Sequence, residues 1–234
     1  VLSALMWGAV AASSLVIGAL AGVARNWNGR LVGWVLGFGA GALVSSISFE
    51  LAEEGFRVGG AVAVSVGLAL GAVTFFVADR AVDRLGGGGS AASGWPLLLG
   101  ALLDGIPEQA VLGIGIAGGG AVSPALVLAI FVSNLPESIG SATDMRAAGR
   151  PAKRIVAGWG AVALVCVAAT AAGYQLQEFA GDQMRGGIDG FAAGALLVML
   201  VGSMIPEATE KARESAGLAA VLGFALAAGL SLSS

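Results

Sequence analysis

The chain has 234 residues, of which 57% are hydrophobic and 12% charged, with a net charge of −3 and a mean hydropathy of +0.89. A soluble domain carries about 25% charged residues, so this composition is that of a polytopic membrane protein, and it excludes a nucleic-acid binder, which needs a basic face. Histidine is absent and Cys166 is the single cysteine, which excludes Ser-His-Asp and Cys-His catalysis, intramolecular disulfides and cysteine-based zinc clusters.

Eight apolar runs approach the roughly 20 residues that a membrane helix needs. In chain order they are Leu2 to Val23, Leu31 to Phe49, Val58 to Ala78, Trp95 to Ala117, Ala121 to Thr143, Ile155 to Gln177, Ile188 to Pro206 and Ser215 to Leu232. The first lacks a basic segment before it and reads as a span rather than a cleaved signal peptide. Lys and Arg fall in alternate connections. Arg25 and Arg30 follow the first span, and Arg80 and Arg84 the third. Arg146, Arg150, Lys153 and Arg154 follow the fifth, and Lys211 and Arg213 the seventh. Only Arg57 and Arg185 fall on the other side. Basic connections face the cytoplasm, so both termini are expected outside it, in a plasma (inner) membrane. The expected organisation is one all-α transmembrane domain over 1–234. Segment 79–94, with Gly86-Gly87-Gly88-Gly89-Ser90, is expected to be a flexible cytoplasmic connection. Small residues four apart, Gly37 with Gly41 and Gly67 with Gly71, are expected to let helix backbones approach closely. Trp7, Trp34 and Trp95 suit interfacial belts.

The functional signal lies in acids at membrane depth, where an idle carboxylate costs about 3 kcal/mol. Asp104 and Glu108 stand in the fourth span and Glu137 in the fifth. Asp104 and Glu108 are four apart, hence on one helix face, about 6 Å apart in rise. Each span carries a Pro-Glu pair, in Asp104-Gly105-Ile106-Pro107-Glu108-Gln109 and in Ser133-Asn134-Leu135-Pro136-Glu137-Ser138. Pro107 frees the carbonyl of Leu103 and Pro136 that of Val132, with a kink expected at each. Freed carbonyls, the Asn134 amide and three carboxylates would make an oxygen-rich pocket suited to a divalent cation. The competing reading is that the acids are protonated and bonded to neighbouring helices. No basic residue occurs inside the spans to pair with them.

These two motifs resemble the fourth- and fifth-span signatures of the Zrt-/Irt-like (ZIP) metal transporters, His-Asn-x-Pro-Glu-Gly and His/Gln-Asn/Asp-x-Pro-Glu-Gly. Met204-Ile205-Pro206-Glu207-Ala208 resembles the family's Ile-Pro-Glu segment, and Phe38-Gly39-Ala40-Gly41 its Phe-Ala-Ala-Gly. The chain departs from the pattern at several positions. Asp104 stands where the family has a metal-binding His, Gly105 replaces the neighbouring Asn, and Ser133 replaces the His or Gln. The sixth span has no carboxylate, only Cys166 and Thr170 as substitutes, and Gly202-Ser203 precede Ile-Pro-Glu. The resemblance implies two inverted three-helix repeats, spans 1–3 and 6–8, around spans 4 and 5. It implies uptake of a divalent metal (Zn²⁺, Mn²⁺ or Fe²⁺) into the cytoplasm by alternating access, plausibly as a homodimer, with no enzymatic activity and no prosthetic group. The metal ligands it implies are Asp104, Glu108, Asn134 and Glu137. An oxygen site without His favours Mn²⁺, Fe²⁺ or Mg²⁺ more than a His site does, while Zn²⁺ still binds carboxylates. The alternative is a ZIP-fold membrane protein that has lost metal transport and serves as a scaffold, sensor or carrier of another solute.

Other polar residues weigh less. Glu50, Glu53 and Glu54 read as a solvated helix end, with an acidic entrance as the alternative. Glu207 reads equally as an exit ligand or an amphipathic end. Asp189 is expected to cap a helix N-terminus. Cys166 is expected to be a buried small apolar residue.

Overall fold

The computed structural model describes residues 1–86, 95–118 and 122–232, and among these it contains helices and no strand. The helices are α1 (Leu2–Ala24), α2 (Gly29–Ser46), α3 (Glu53–Gly86), α4 (Trp95–Ala117), α5 (Pro124–Ala147), α6 (Ala152–Phe179), α7 (Asp182–Met199), α8 (Ile205–Ala212) and α9 (Ser215–Ser231). Two π-helical turns, Ile47–Ala52 and Leu200–Met204, join α2 to α3 and α7 to α8 without a break. Six helical runs are long and apolar enough to cross a membrane: Leu2–Ala24, Gly29–Val82, Leu98–Ala117, Pro124–Ala147, Ala152–Gln177 and Asp182–Ala212. The chain is a multi-pass membrane protein. Trp7 and Trp34 are exposed, and Trp34 Nε1 donates to Ser215 Oγ at 2.8 Å. The side chain of Trp95 lies outside the described residues.

The run Gly29–Val82 has 54 residues, about 80 Å as one helix against a hydrocarbon core of about 30 Å. It is not one rod. Gly60 has φ +79° and ψ 168°, a region open essentially to glycine alone. A Cβ on Gly55 would stand 3.1 Å from Val64 Cγ2, whereas nine residues of straight helix separate such positions by about 13 Å. The chain therefore folds back at Gly60. Segment 79–94 differs from expectation at its start. Its first residues continue α3 to Gly86, and 87–94 lie outside the described residues.

The expected small-residue packing is present. A Cβ on Gly37 or Gly41 would strike the carbonyls of Ala216 or Ala220 on α9, and one on Gly67 or Gly71 those of Gly187 or Phe191 on α7. The other side of each contact is built alike. Gly190 and Gly194 meet the carbonyls of Val64 and Leu68, and Gly223 meets that of Phe38. Backbones thus touch without intervening side chains along α2–α9 and α3–α7, which is how helices associate where lipid offers no hydrophobic drive. The two stretches involved share a pattern: Gly37-Phe38, Ala40-Gly41-Ala42-Leu43 and Gly190-Phe191, Ala193-Gly194-Ala195-Leu196. Each leads into a π-helical turn four residues later, at Ile47 and at Leu200.

Helix α5 packs between α1 and α2, and α4 lies against α6. One core cluster runs through α2, α4, α5 and α7, with Leu43, Leu112, Ile130 and Met199 nearly fully buried. A second surrounds Trp159 and joins α1, α4 and α6. It includes Cys166, which is buried as expected.

Candidate functional site

Pro107 and Pro136 both lie inside continuous helices, α4 and α5. In each helix the Pro-Glu pair carries its carboxylate to the same place. Asp104, Glu108 and Glu137 line one cavity of about 20 Å³, closed by Ser203, Met204 and Glu207 from the far end of the α7–α8 run. Glu108 is 2% exposed; Asp104 and Glu137 are partly buried.

The carboxylate of Glu108 is held from α5. Ser133 Oγ donates to its Oε1 at 3.1 Å, and Asn134 Nδ2 donates to its Oε2 at 2.9 Å. Asn134 Nδ2, with two hydrogens, also donates to the carbonyl of Ile130 at 2.9 Å, whereas the single Ser133 O–H is shared between Glu108 and that same carbonyl, at 3.0 Å. Asp104 has a weaker partner, Ser203 Oγ, donating to Oδ2 at 3.4 Å. Glu137 accepts no hydrogen bond from a described residue. Glu207 turns its Oε1 to Lys211 Nζ at 2.8 Å. That ammonium lies over Gly140, where a Cβ would stand 3.2 Å from it.

Three of the four expected ligands, Asp104, Glu108 and Glu137, are thus gathered in one cavity. Asn134 is not among its lining residues, and it offers Glu108 an N–H donor where a carbonyl oxygen was expected. It acts on the site through Glu108. Thr170 is turned to Gln109, donating to its Oε1 at 2.7 Å, and Cys166 packs against Gly105; neither lines the cavity. Among the described residues, no three His, Cys, Asp or Glu side chains stand close enough together to hold one ion as the chain is arranged.

Sequence reasoning missed Ser203, Met199 and Met204 as lining residues, and it left Glu207 undecided. The usable signal was Pro206-Glu207, a third Pro-Glu pair like those that mark the other acids, with Ser203 and Met204 in the turn just before it.

A second, wider cavity of about 480 Å³ opens at the other ends of these helices, between the α2–α3 junction, α4, α6 and α7. Glu50, Glu53, Glu54 and Asp189 line it together with Arg57 and Arg185. Glu50 is not a solvated helix end: its Oε1 accepts from Ser123 Oγ at 2.5 Å and from Ser231 Oγ at 2.6 Å. Glu54 pairs with Arg57 through both oxygens, at 2.6 and 2.8 Å. Asp189 does not cap a helix. Helix α7 begins at Asp182 with Gly181 before it, and Asp189 stands two turns inside, 2% exposed. The expectation failed because an acid next to an apolar run was taken as the edge of the helix.

No protein-family model matches the chain, and no curated protein matches it.

Proposed function

We propose that the chain is a divalent-metal transporter whose ion is handled at mid-membrane by Asp104, Glu108 and Glu137, with Asn134 and Ser133 positioning Glu108. The observation that carries this reading is the convergence of three carboxylates from two Pro-Glu helices on one buried cavity. A fourth acid, Glu207, closes that cavity, paired with the ammonium of Lys211. Idle acids at this depth are expensive, and a dication offsets that cost directly. The transporter has eight spans: the run Gly29–Val82 divides at Gly60 into two, and Ser215–Ser231 is a short eighth. Spans 2 and 7 are then five crossings apart and run in opposite directions. The matched contacts of Gly37, Gly41 and Phe38 with those of Gly190, Gly194 and Phe191 are what inverted repeats would produce. Such repeats move against each other around a fixed site. Together with the Pro-Glu motifs this supports a ZIP-type transporter in the plasma membrane, both termini outside, moving Mn²⁺, Fe²⁺ or Zn²⁺ into the cytoplasm.

The second reading is a ZIP-fold protein that no longer carries metal. It is favoured by the small volume of the cavity and by the donors already committed to Glu108. Uptake of Mn²⁺, Zn²⁺, Fe²⁺ and Cd²⁺ into proteoliposomes separates the two. Uptake that disappears in Glu108→Gln and in Glu137→Gln supports the transporter. No uptake of any of the four by folded, reconstituted protein rejects it in favour of the second reading.

A further inference from the structure

The wider cavity, called the outer one below, is walled by acceptors, several of which lack donors. Asp189 is 2% exposed and lines it, yet accepts no hydrogen bond from a described residue. The nearby Arg185 sends its Nε to the carbonyl of Ala180, at 3.0 Å. Gln177, on α6, is 5% exposed, and its Oε1 has no partner among the described residues. Glu50 is fixed through Oε1 by two serines from different helices, and nothing described donates to its other oxygen. Buried acceptors left this way are costly. Four carboxylates face the cavity against two guanidinium groups, and one of those, on Arg57, is already committed to Glu54. The guest that matches such a wall is positive and presents O–H donors outward.

We propose that this cavity is a second cation site, which holds a divalent ion inside its water shell on Asp189, Glu50 and Gln177. A bare ion would need several carboxylates within bonding reach at once, and no such trio exists among the described residues. A hydrated one does not. Six waters at about 30 Å³ each occupy about 180 Å³, and the cavity offers about 480 Å³. Each shell water donates to an acceptor on the wall, so Asp189 and Gln177 gain the partners they lack. The cavity floor includes Val111 and Leu112, one helical turn beyond Glu108 on α4. The ion held here is therefore separated from the inner carboxylates by an apolar layer. The inference concerns binding and stands apart from transport at the inner site.

The test is Mn²⁺ binding to the purified full-length chain in detergent, read from the electron paramagnetic resonance of free Mn²⁺. Tb³⁺ luminescence lifetimes in H₂O and D₂O then count the waters retained. Asp189→Asn weakens the Mn²⁺ site by about 10- to 100-fold, the range for losing a charge-assisted hydrogen bond. Gln177→Glu tightens it, a gain that misfolding does not mimic. Measured in the Glu108→Gln background, which disables the inner site, this Mn²⁺ binding and its response to Asp189→Asn persist, and Tb³⁺ keeps most of its waters. The proposal is overturned if Asp189→Asn and Gln177→Glu bind as the parent does. It is equally overturned if no Mn²⁺ binding survives in the Glu108→Gln background, or if Tb³⁺ is stripped of water. Absent uptake with this binding intact would reject the transporter and leave the outer site standing.

Discussion

The two cavities are made of the same kinds of residue and differ in what those residues have found to bond. At the inner one, about 20 Å³ in volume, Glu108 is held by Ser133 and Asn134, Asp104 by Ser203 and Glu207 by Lys211. At the outer one, about 480 Å³, Glu54 is paired and Glu50 is anchored, while Asp189 and Gln177 keep unused acceptors. Acids alone do not distinguish a closed site from an open one; the supply of donors does. Ser133 and Asn134, on the facing helix just before Pro136, supply Glu108 with donors. Asp189 has no such neighbour across from it, since Gly55 packs there.

The contrast can be broken most sharply at the inner acids. Glu108→Gln and Glu137→Gln are expected to reduce proteoliposome uptake to background, while Glu53→Gln on the exposed outer rim leaves most of it. Equal losses in all three would erase the distinction. Next in size is Asn134→Ala, which removes a donor from Glu108 without removing a carboxylate. Metal affinity measured by isothermal titration should fall about 10- to 100-fold, as for other residues that orient a ligand, with uptake still detectable.

Packing offers a third comparison. A Cβ on Gly39 would lie 2.9 Å from Ser133 Cα and from Met204 Cε, behind the inner cavity, whereas one on Gly115 at the outer cavity would meet only Leu126 Cδ2 at 3.8 Å. Gly39→Ala is expected to destabilise by about 1–3 kcal/mol in reversible unfolding from detergent micelles, and Gly115→Ala to change stability by less. The smallest effect is that of Lys211→Met. Its ion pair with Glu207 is about one-third exposed, so the change in unfolding free energy should stay under about 1 kcal/mol.

Much of this architecture was legible in the residues. Apolar runs bounded by Arg and Lys gave the helices, because a membrane span depends on composition more than on its partners. The two Pro-Glu motifs gave Asp104, Glu108 and Glu137, because an acid at that depth has few bland explanations. What lay hidden depended on neighbours. The direction of the Asn134 amide is set by where Glu108 arrives from α4. The burial of Asp189 is set by α3 packing over α7. The π-helical turns at Ile47 and Leu200 carry no local signal of their own, although each follows a like Gly-Phe stretch, at 37 and at 190. The length of α3 was misjudged because a glycine run was read as beginning a connection earlier, at Asp79.

The tight seam between α2 and α9 also has a history. Gly41 and Ala220 touch across it, yet about 180 positions separate them in the chain. At the usual pace of synthesis, 5–20 residues per second, the glycine face of α2 waits roughly 10 to 35 s for its partner to be made. During that interval lipid chains, or another protein that shields nascent helices, must cover it. Assembly of this protein is therefore completed last-to-first, with the final helix sealing the second.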